Sequence, residues 1–379
     1  MTITANRVGV WILDDTYKKV SSGCWVYSAG GDPPSPGELW LWGCSGQGQL
    51  GDNTTVPKSS PIQIPGTSWG AVRTGQYHTL ATKTDGTLWS WGRGTEGRLG
   101  DNTTIHRSSP VQIPGTSWIN VGLSYSASLA TKTDGTLWAW GDNFFAVLAD
   151  NTTVPKSSPI QIPGTSWSSM SGGSQFFLAR KTDGTLWSWG YNFQGQLGDN
   201  TRVDKSSPIQ IPGTSWNDIA GGNGHSLARK TDGTLWAWGR NNVGQLGDNT
   251  ATYRSSPVQI PGTSWNDVSQ SGGCFSLALK TDGTLWAWGD NFLGELGDNT
   301  RTYRSSPIQI PGTSWNSIHS SDFRSLATKT DGTLWVWGRN NVGQLGDNTI
   351  IHRSSPVQIP GTSWNDVRGG RYFSLARKL

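Results

Sequence analysis

Along Thr87-Leu88-Trp89-Ser90-Trp91-Gly92 the two tryptophans fall on one side of an extended chain, while Leu88 and Ser90 fall on the other. The preceding run, Thr79-Leu80-Ala81-Thr82-Lys83 (SLATK in the next copy), reads as a second short strand. Thr-Asp-Gly joins the two, and Asp-Gly is a strong hairpin signal because such turns need a positive φ that glycine adopts without cost. PVQI before Pro-Gly predicts a further strand, and the residues after GTSW lead into SLATK again. No helical spacing of apolar residues interrupts this order. Four short strands in about 49 residues, with bulky groups on one face and smaller ones on the other, describe one blade of a β-propeller.

The blade repeats. Trp-Gly recurs at Trp42, Trp91, Trp140, Trp189, Trp238, Trp288 and Trp337, in steps of 49 residues with one step of 50 before Cys274. Residues 37–379 thus divide into seven units, 37–85, 86–134, 135–183, 184–232, 233–282, 283–331 and 332–379. The first opens with a return strand, Leu39-Trp40-Leu41-Trp42, that has no SLA partner. The last ends at Ser374–Leu379 without its return strand. Each end supplies what the other lacks, so the expectation is an all-β, seven-bladed ring of four-stranded blades, closed by the two termini sharing one blade, with no free sheet edge.

Composition follows from the repeat. Of 23 Trp, 21 are three per unit, and the 51 Gly and 19 Pro are turn punctuation copied seven times. Lysines and arginines before the turns and before Ser-Ser-Pro offset the repeated aspartates, which leaves a net charge of +4. That balance makes nucleic acid an improbable partner. No apolar run of about 18 residues spans a membrane, and the start lacks the apolar block of a secretory signal. Cys24, Cys44 and Cys274 form neither a disulfide framework nor a metal-ligand spacing. The five histidines share no metal spacing, and no Ser, Cys or His nucleophile motif is present. The seven Asp-Asn pairs lack the carboxylate ladder of a calcium loop and read as turns bonded to their own backbone. The chain is therefore expected to be no enzyme, with no cofactor, metal or small-molecule substrate. In the third unit Ala146-Val147-Leu148-Ala149 replaces Gly-Gln-Leu-Gly, and if those glycines carry positive φ this loop must differ.

The unit GGxxxSLAxKTDGTLWxWGxNxxGQLGDNT, nearly intact at 191–198, 240–247 and 339–346, resembles the repeat of the regulator-of-chromosome-condensation family over about nine-tenths of the chain. The resemblance implies a seven-bladed propeller whose members differ in activity: a nuclear guanine-nucleotide exchange factor, a plant ultraviolet photoreceptor and a secreted bacterial β-lactamase inhibitor. Uniform repeats leave no room for the inserted wedge of the exchange factor. Gly75-Gln76-Tyr77-His78-Thr79 and Gly222-Asn223-Gly224-His225-Ser226 lack the tryptophan of the photoreceptor's GWRHT motif.

Comparing the seven copies with one another isolates the window between GTSW and SLA. It offers Gln76, Tyr77, Tyr125, Gln175, Phe176, Asn223, His225, Phe275, Phe323, Arg324, Arg371, Tyr372 and Phe373, an expected partner-binding ring of aromatic and arginine side chains on one side of the disc. Phe144, Phe145, Tyr191, Phe193 and Phe292, after Trp-Gly, read instead as blade-edge packing. Residues 1–36 precede the ring as a Trp-containing docking segment, with Trp11, Tyr17, Trp25 and Tyr27, and a linker at Asp32-Pro33-Pro34-Ser35-Pro36. This segment is similar to short elements of phage tail and virion proteins. The functional expectation is a protein-binding propeller on a virus particle, contacting a virion component or a host surface molecule and located on the virion, with a cytoplasmic location as the alternative. An enzyme inhibitor like the β-lactamase-binding propeller, then an exchange or chromatin-binding protein, are the other readings.

Overall fold

The computed structural model describes residues 39–379 except 44, 57, 76, 270–272, 322, 342–344, 348, 363, 370–373 and 379. The docking segment 1–36, with Trp11, Tyr17, Trp25 and Tyr27, and the ring residues Gln76, Arg371, Tyr372 and Phe373 lie outside the described residues.

Among the described residues the chain forms six antiparallel sheets of four strands and two of two strands. Sheet one comprises Trp69–Thr74, His78–Lys83, Leu88–Gly92 and Arg107–Ile113, paired in chain order. The same order recurs over residues 118–162, 167–211, 216–260, 265–310 and 315–359, sheets two to six. First strands of successive sheets contact one another and so surround the axis, while fourth strands lie at the rim. The seventh blade is shared. Trp364–Gly369 pairs with Ser374–Lys378, Trp40–Gly43 pairs with Lys58–Gln63, and Ser374–Lys378 packs beside Trp40–Gly43. The chain is a closed all-β propeller of seven blades, as the complementary chain ends predict. Each sheet takes the second half of one sequence unit and the first half of the next, because the first strand begins at the tryptophan of GTSW.

The hairpin forms where Thr-Asp-Gly predicts it, as a three-residue loop. Lys83 N–H donates to the Thr87 carbonyl at 2.9 Å, and Gly86 takes φ +79°. Asp85 Oδ1 accepts from the Thr87 amide and hydroxyl. These hydrogen bonds hold its carboxyl below the usual range. Lys83 Nζ sits 4.7 Å from the Trp69 ring and 4.6 Å from the Trp89 ring, a cation between two indoles that recurs in every four-stranded sheet.

The alternation along Leu88–Gly92 places its two faces against two different neighbours. Trp91 is buried with Leu39, Leu41, Leu50 and Trp69, whereas Leu88 is buried with Ile113, Trp118 and Trp140. Full burial of each such indole is favourable by roughly 4–6 kcal/mol. Its N–H is also satisfied from the preceding blade. Trp91 Nε1 donates to the Gln49 carbonyl at 3.0 Å and Trp238 Nε1 to that of Gln196 at 2.8 Å. A second latch acts at the rim. Asn53 (φ 64°) donates its amide to the Ser108 carbonyl at 2.7 Å and accepts from Ser109 Oγ at 3.1 Å. Asp52 bonds Thr54 within its own turn. In the six pairs whose asparagine is described, only half of the Asp-Asn pair is therefore a local turn device; the asparagine ties blade to blade.

Candidate functional site: the loop face around the channel mouth

The connection from first to second strand and the connection from third to fourth emerge at the same end of every four-stranded sheet. The two are joined there. Arg93 N–H donates to the Tyr77 carbonyl at 2.8 Å, and the equivalent bond links Asp142 to Ser126, Tyr191 to Gln175, Arg240 to Gly224, Asp290 to Cys274 and Arg339 to Phe323, all between 2.8 and 3.0 Å. Glycine in Trp-Gly makes this approach possible. A Cβ on Gly92 (φ +105°) would stand 2.4 Å from the Tyr77 carbonyl oxygen. Blade-to-blade backbone bonds tighten the inner rim: Tyr125 to Ser174 at 3.3 Å, Ser174 to Gly222 at 3.2 Å and Asn223 to Gly273 at 3.4 Å. From sheet two to sheet five the mouth is thus a bonded collar rather than a set of free loops.

This collar separates the expected ring residues into two kinds. Tyr77, Tyr125, Gln175, Asn223 and Phe323 are half-buried around the mouth. The guanidinium of Arg93 lies 5.7 Å from the Tyr77 ring, and that of Arg339 lies 5.4 Å from the Phe323 ring, so two blades present an Arg-aromatic pair. Phe176, His225, Phe275 and Arg324 do not face solvent. Each begins the second strand opposite the glycine of Trp-Gly and is enclosed between blades. Their assignment to a partner-binding surface is corrected on that ground. His225 Nε2 is 3.2 Å from Ser276 Oγ of the next blade, and His78 Nε2 is 3.1 Å from Ser128 Oγ. Burial, with Arg240 or Arg98 adding repulsion, lowers both imidazoles to about 3, so they are neutral wedges.

Exposed aromatics lie one loop further out. Phe144, Phe193 and Phe292 are 72%, 68% and 67% exposed, which overturns their reading as edge packing. A signal was present: the same position holds Thr95, Asn242 and Asn341 in other copies, residues that seek water. Phe145 is half-buried, its ring 4.9 Å from Phe144 and 4.7 Å from Tyr191, and Tyr191 stacks on Phe193 at 6.5 Å. Four rings across sheets two and three form one continuous strip.

The loop 142–149 keeps the standard path. Ala146 and Ala149 adopt φ 55° and 58°, where the other copies have glycine, so the expectation of a different loop is not met. Trp189 Nε1 still donates to the Val147 carbonyl at 2.8 Å. The equivalent position in sheet five is Glu295, buried, with Oε2 accepting from Leu293 N–H at 2.8 Å. Burial pushes its carboxyl up to about 7. Among the described residues no group of three or more His, Cys, Asp or Glu is arranged to hold a metal ion, and no helix is long and apolar enough to cross a membrane.

The RCC1-like domain model matches residues 34–315, about three quarters of the chain, and models of the regulator of chromosome condensation (RCC1) repeat match 316–344 and 331–377. The chain belongs to the RCC1-like family of β-propellers. No curated protein matches it in sequence. Among solved structures it is similar to human WBSCR16, with 19% identity, 91% of this chain and 99% of that chain covered and a TM-score of 0.78. It is also similar to Prp20p of Saccharomyces cerevisiae, described with its binding to Gsp1p and histones, at 21% identity, 92% and 93% coverage and a TM-score of 0.78. Yeast RCC1 (Prp20) bound by Kap60 aligns at 20% identity over 100% and 97% of the two chains, again with a TM-score of 0.78. At these identities the likeness is one of fold. The expectation of a virion protein, in function and in location, is corrected by these matches: the family and the similar structures are RCC1-type propellers, and none is a virion component.

Proposed function

We propose that the protein is a non-enzymatic, protein-binding RCC1-type propeller that uses the loop face around the channel mouth. The observation carrying this reading is that Phe144, Phe193 and Phe292 stand in solvent at one end of the disc, beside the Tyr77–Arg93 and Phe323–Arg339 pairs. Large aromatic and arginine side chains on a rigid support are the composition of binding hot spots, and exposed contiguous rings mark interaction sites. Groups that could do chemistry have structural work instead. The buried histidines wedge blades, and the rim aspartates hold Thr and Arg or Lys, as Asp248 does with Thr250 and Arg254. The similar Prp20 structures concern proteins that engage other proteins, namely Gsp1p, histones and Kap60.

A photo-crosslinking residue placed at Phe292, and separately at Thr133 on the opposite hairpin face, tests the reading in the protein's native setting. Covalent capture of a protein from position 292 and none from 133 is the expected result. Capture confined to position 133, or none from either, would overturn it.

A further inference from the structure

The strip Phe144, Phe145, Tyr191 and Phe193 differs from the loops of sheets one, four and six in charge as well as in shape. At one end stands Asp142, whose carboxylate accepts from Phe144 N–H at 3.0 Å and Ser126 Oγ at 2.9 Å. Towards the other stands Asp204, exposed, accepting from Asn192 N–H at 2.7 Å between Tyr191 and Phe193. The Asp142 position is Arg93, Tyr191, Arg240 and Arg339 in sheets one, three, four and six and recurs as an acid in sheet five, Asp290, which accepts from Phe292 N–H at 3.1 Å; the Asp204 position is otherwise Pro, His or Tyr, so the two acids coincide only at this strip. Of the neighbouring cations, Arg98 attracts Asp142 electrostatically but is hydrogen-bonded to other groups. Arg202 lies 5.7 Å from the Tyr253 ring of the next sheet, and Arg98 is bonded to Glu96 and to the Tyr125 carbonyl.

Aromatic faces attract cations through their quadrupoles, and carboxylates at both ends of the strip add attraction of the same sign. Arg93, Arg240 and Arg339 on sheets one, four and six repel a basic segment and so disfavour those parts of the mouth. We infer that the strip across sheets two and three is a docking site for an extended segment of a partner protein carrying lysine or arginine beside an apolar residue, its cation set over the rings between Asp142 and Asp204. The inference rests on the protein-binding reading above and specifies the partner's chemistry.

Three fluorescein-labelled peptides test it by polarisation against the full chain: GSLKLKGS, and the versions with both lysines replaced by glutamine or by glutamate. The lysine peptide is expected to bind at least ten-fold more tightly than the glutamine peptide, with the glutamate peptide weakest. Phe144→Ser with Phe193→Ser should weaken lysine-peptide binding at least ten-fold while the melting temperature is unchanged. Asp142→Asn with Asp204→Asn should erase most of the preference for lysine over glutamine. Equal binding of all three peptides that is still lost in the phenylalanine variant would overturn cation selection and leave the protein-binding reading standing. No binding of the lysine peptide, or binding indifferent to the phenylalanine pair, would overturn the site itself.

Discussion

Loops 142–149 and 240–247 follow one backbone path with different sequences, and the contrast shows where that path is specified. In 240–247 the turns fall on Gly244 and Gly247, at φ +79° and +77°, and Gly247 N–H donates to the Gly244 carbonyl at 3.0 Å. In 142–149 alanines occupy both left-handed positions and the matching bond lengthens to 3.3 Å. Yet the leucine between them is fully buried in both, and the next blade's indole donates to the same carbonyl position. The neighbouring blade therefore holds the loop, and the glycines relieve strain rather than choose the path.

Gly247→Ala tests this most severely. A Cβ there would stand 2.8 Å from Trp288 Nε1 in an already left-handed residue, so a loss of about 2–4 kcal/mol in chemical denaturation is expected. A loss under 0.5 kcal/mol would show that alanine is accommodated equally in both loops.

Glu295→Gln gives the next largest effect, and its sign depends on pH. Burial pushes the folded carboxyl up to about 7 from its ordinary value of 4.5. The raised value means that Glu295 is best tolerated below pH 4.5, and that its contribution is lost as pH rises through 7. Glutamine, which fills this place as Gln196 and Gln245, should stabilise the protein by about 2–3 kcal/mol at pH 8 and by almost nothing at pH 4.5. The buried histidines run the other way. Lowered to about 3 from 6.5, they supply stability above pH 6.5 that is lost as pH falls towards 3. Comparing variant with parent at each pH removes their contribution. A gain that did not vary with pH would refute the buried-acid account.

Ala149→Gly should stabilise by about 1 kcal/mol by releasing the left-handed strain, measured by the same unfolding curves. Phe193→Ser should change stability least, within about 0.5 kcal/mol, because its ring is largely in water. A larger loss would return that ring to a packing role.

Most of the scaffold could be read in the chain. Thr-Asp-Gly, the alternation of Leu88 and Trp91, and the unmatched strands at the two ends are local or countable features, and each has its structural counterpart. The candidate site was less legible. His225 and Phe176 look from the sequence like variable loop residues, but the adjacent blade covers them. Phe193 looks like packing, but no blade covers it. Asn53 reads as a turn residue because the serine it accepts from belongs to the next sheet.

Sequence by itself determined the blade, its seven-fold repetition and the shared closing blade, because strand period, turn chemistry and repeat phase are written within about 49 residues. Tertiary structure alone decided which variable side chains reach solvent, because burial at each loop is set by a neighbour one repeat away. It also decided that alanine stands in the left-handed positions of loop 142–149. Contacts from two blades outweigh a conformational preference of about 1–2 kcal/mol per residue.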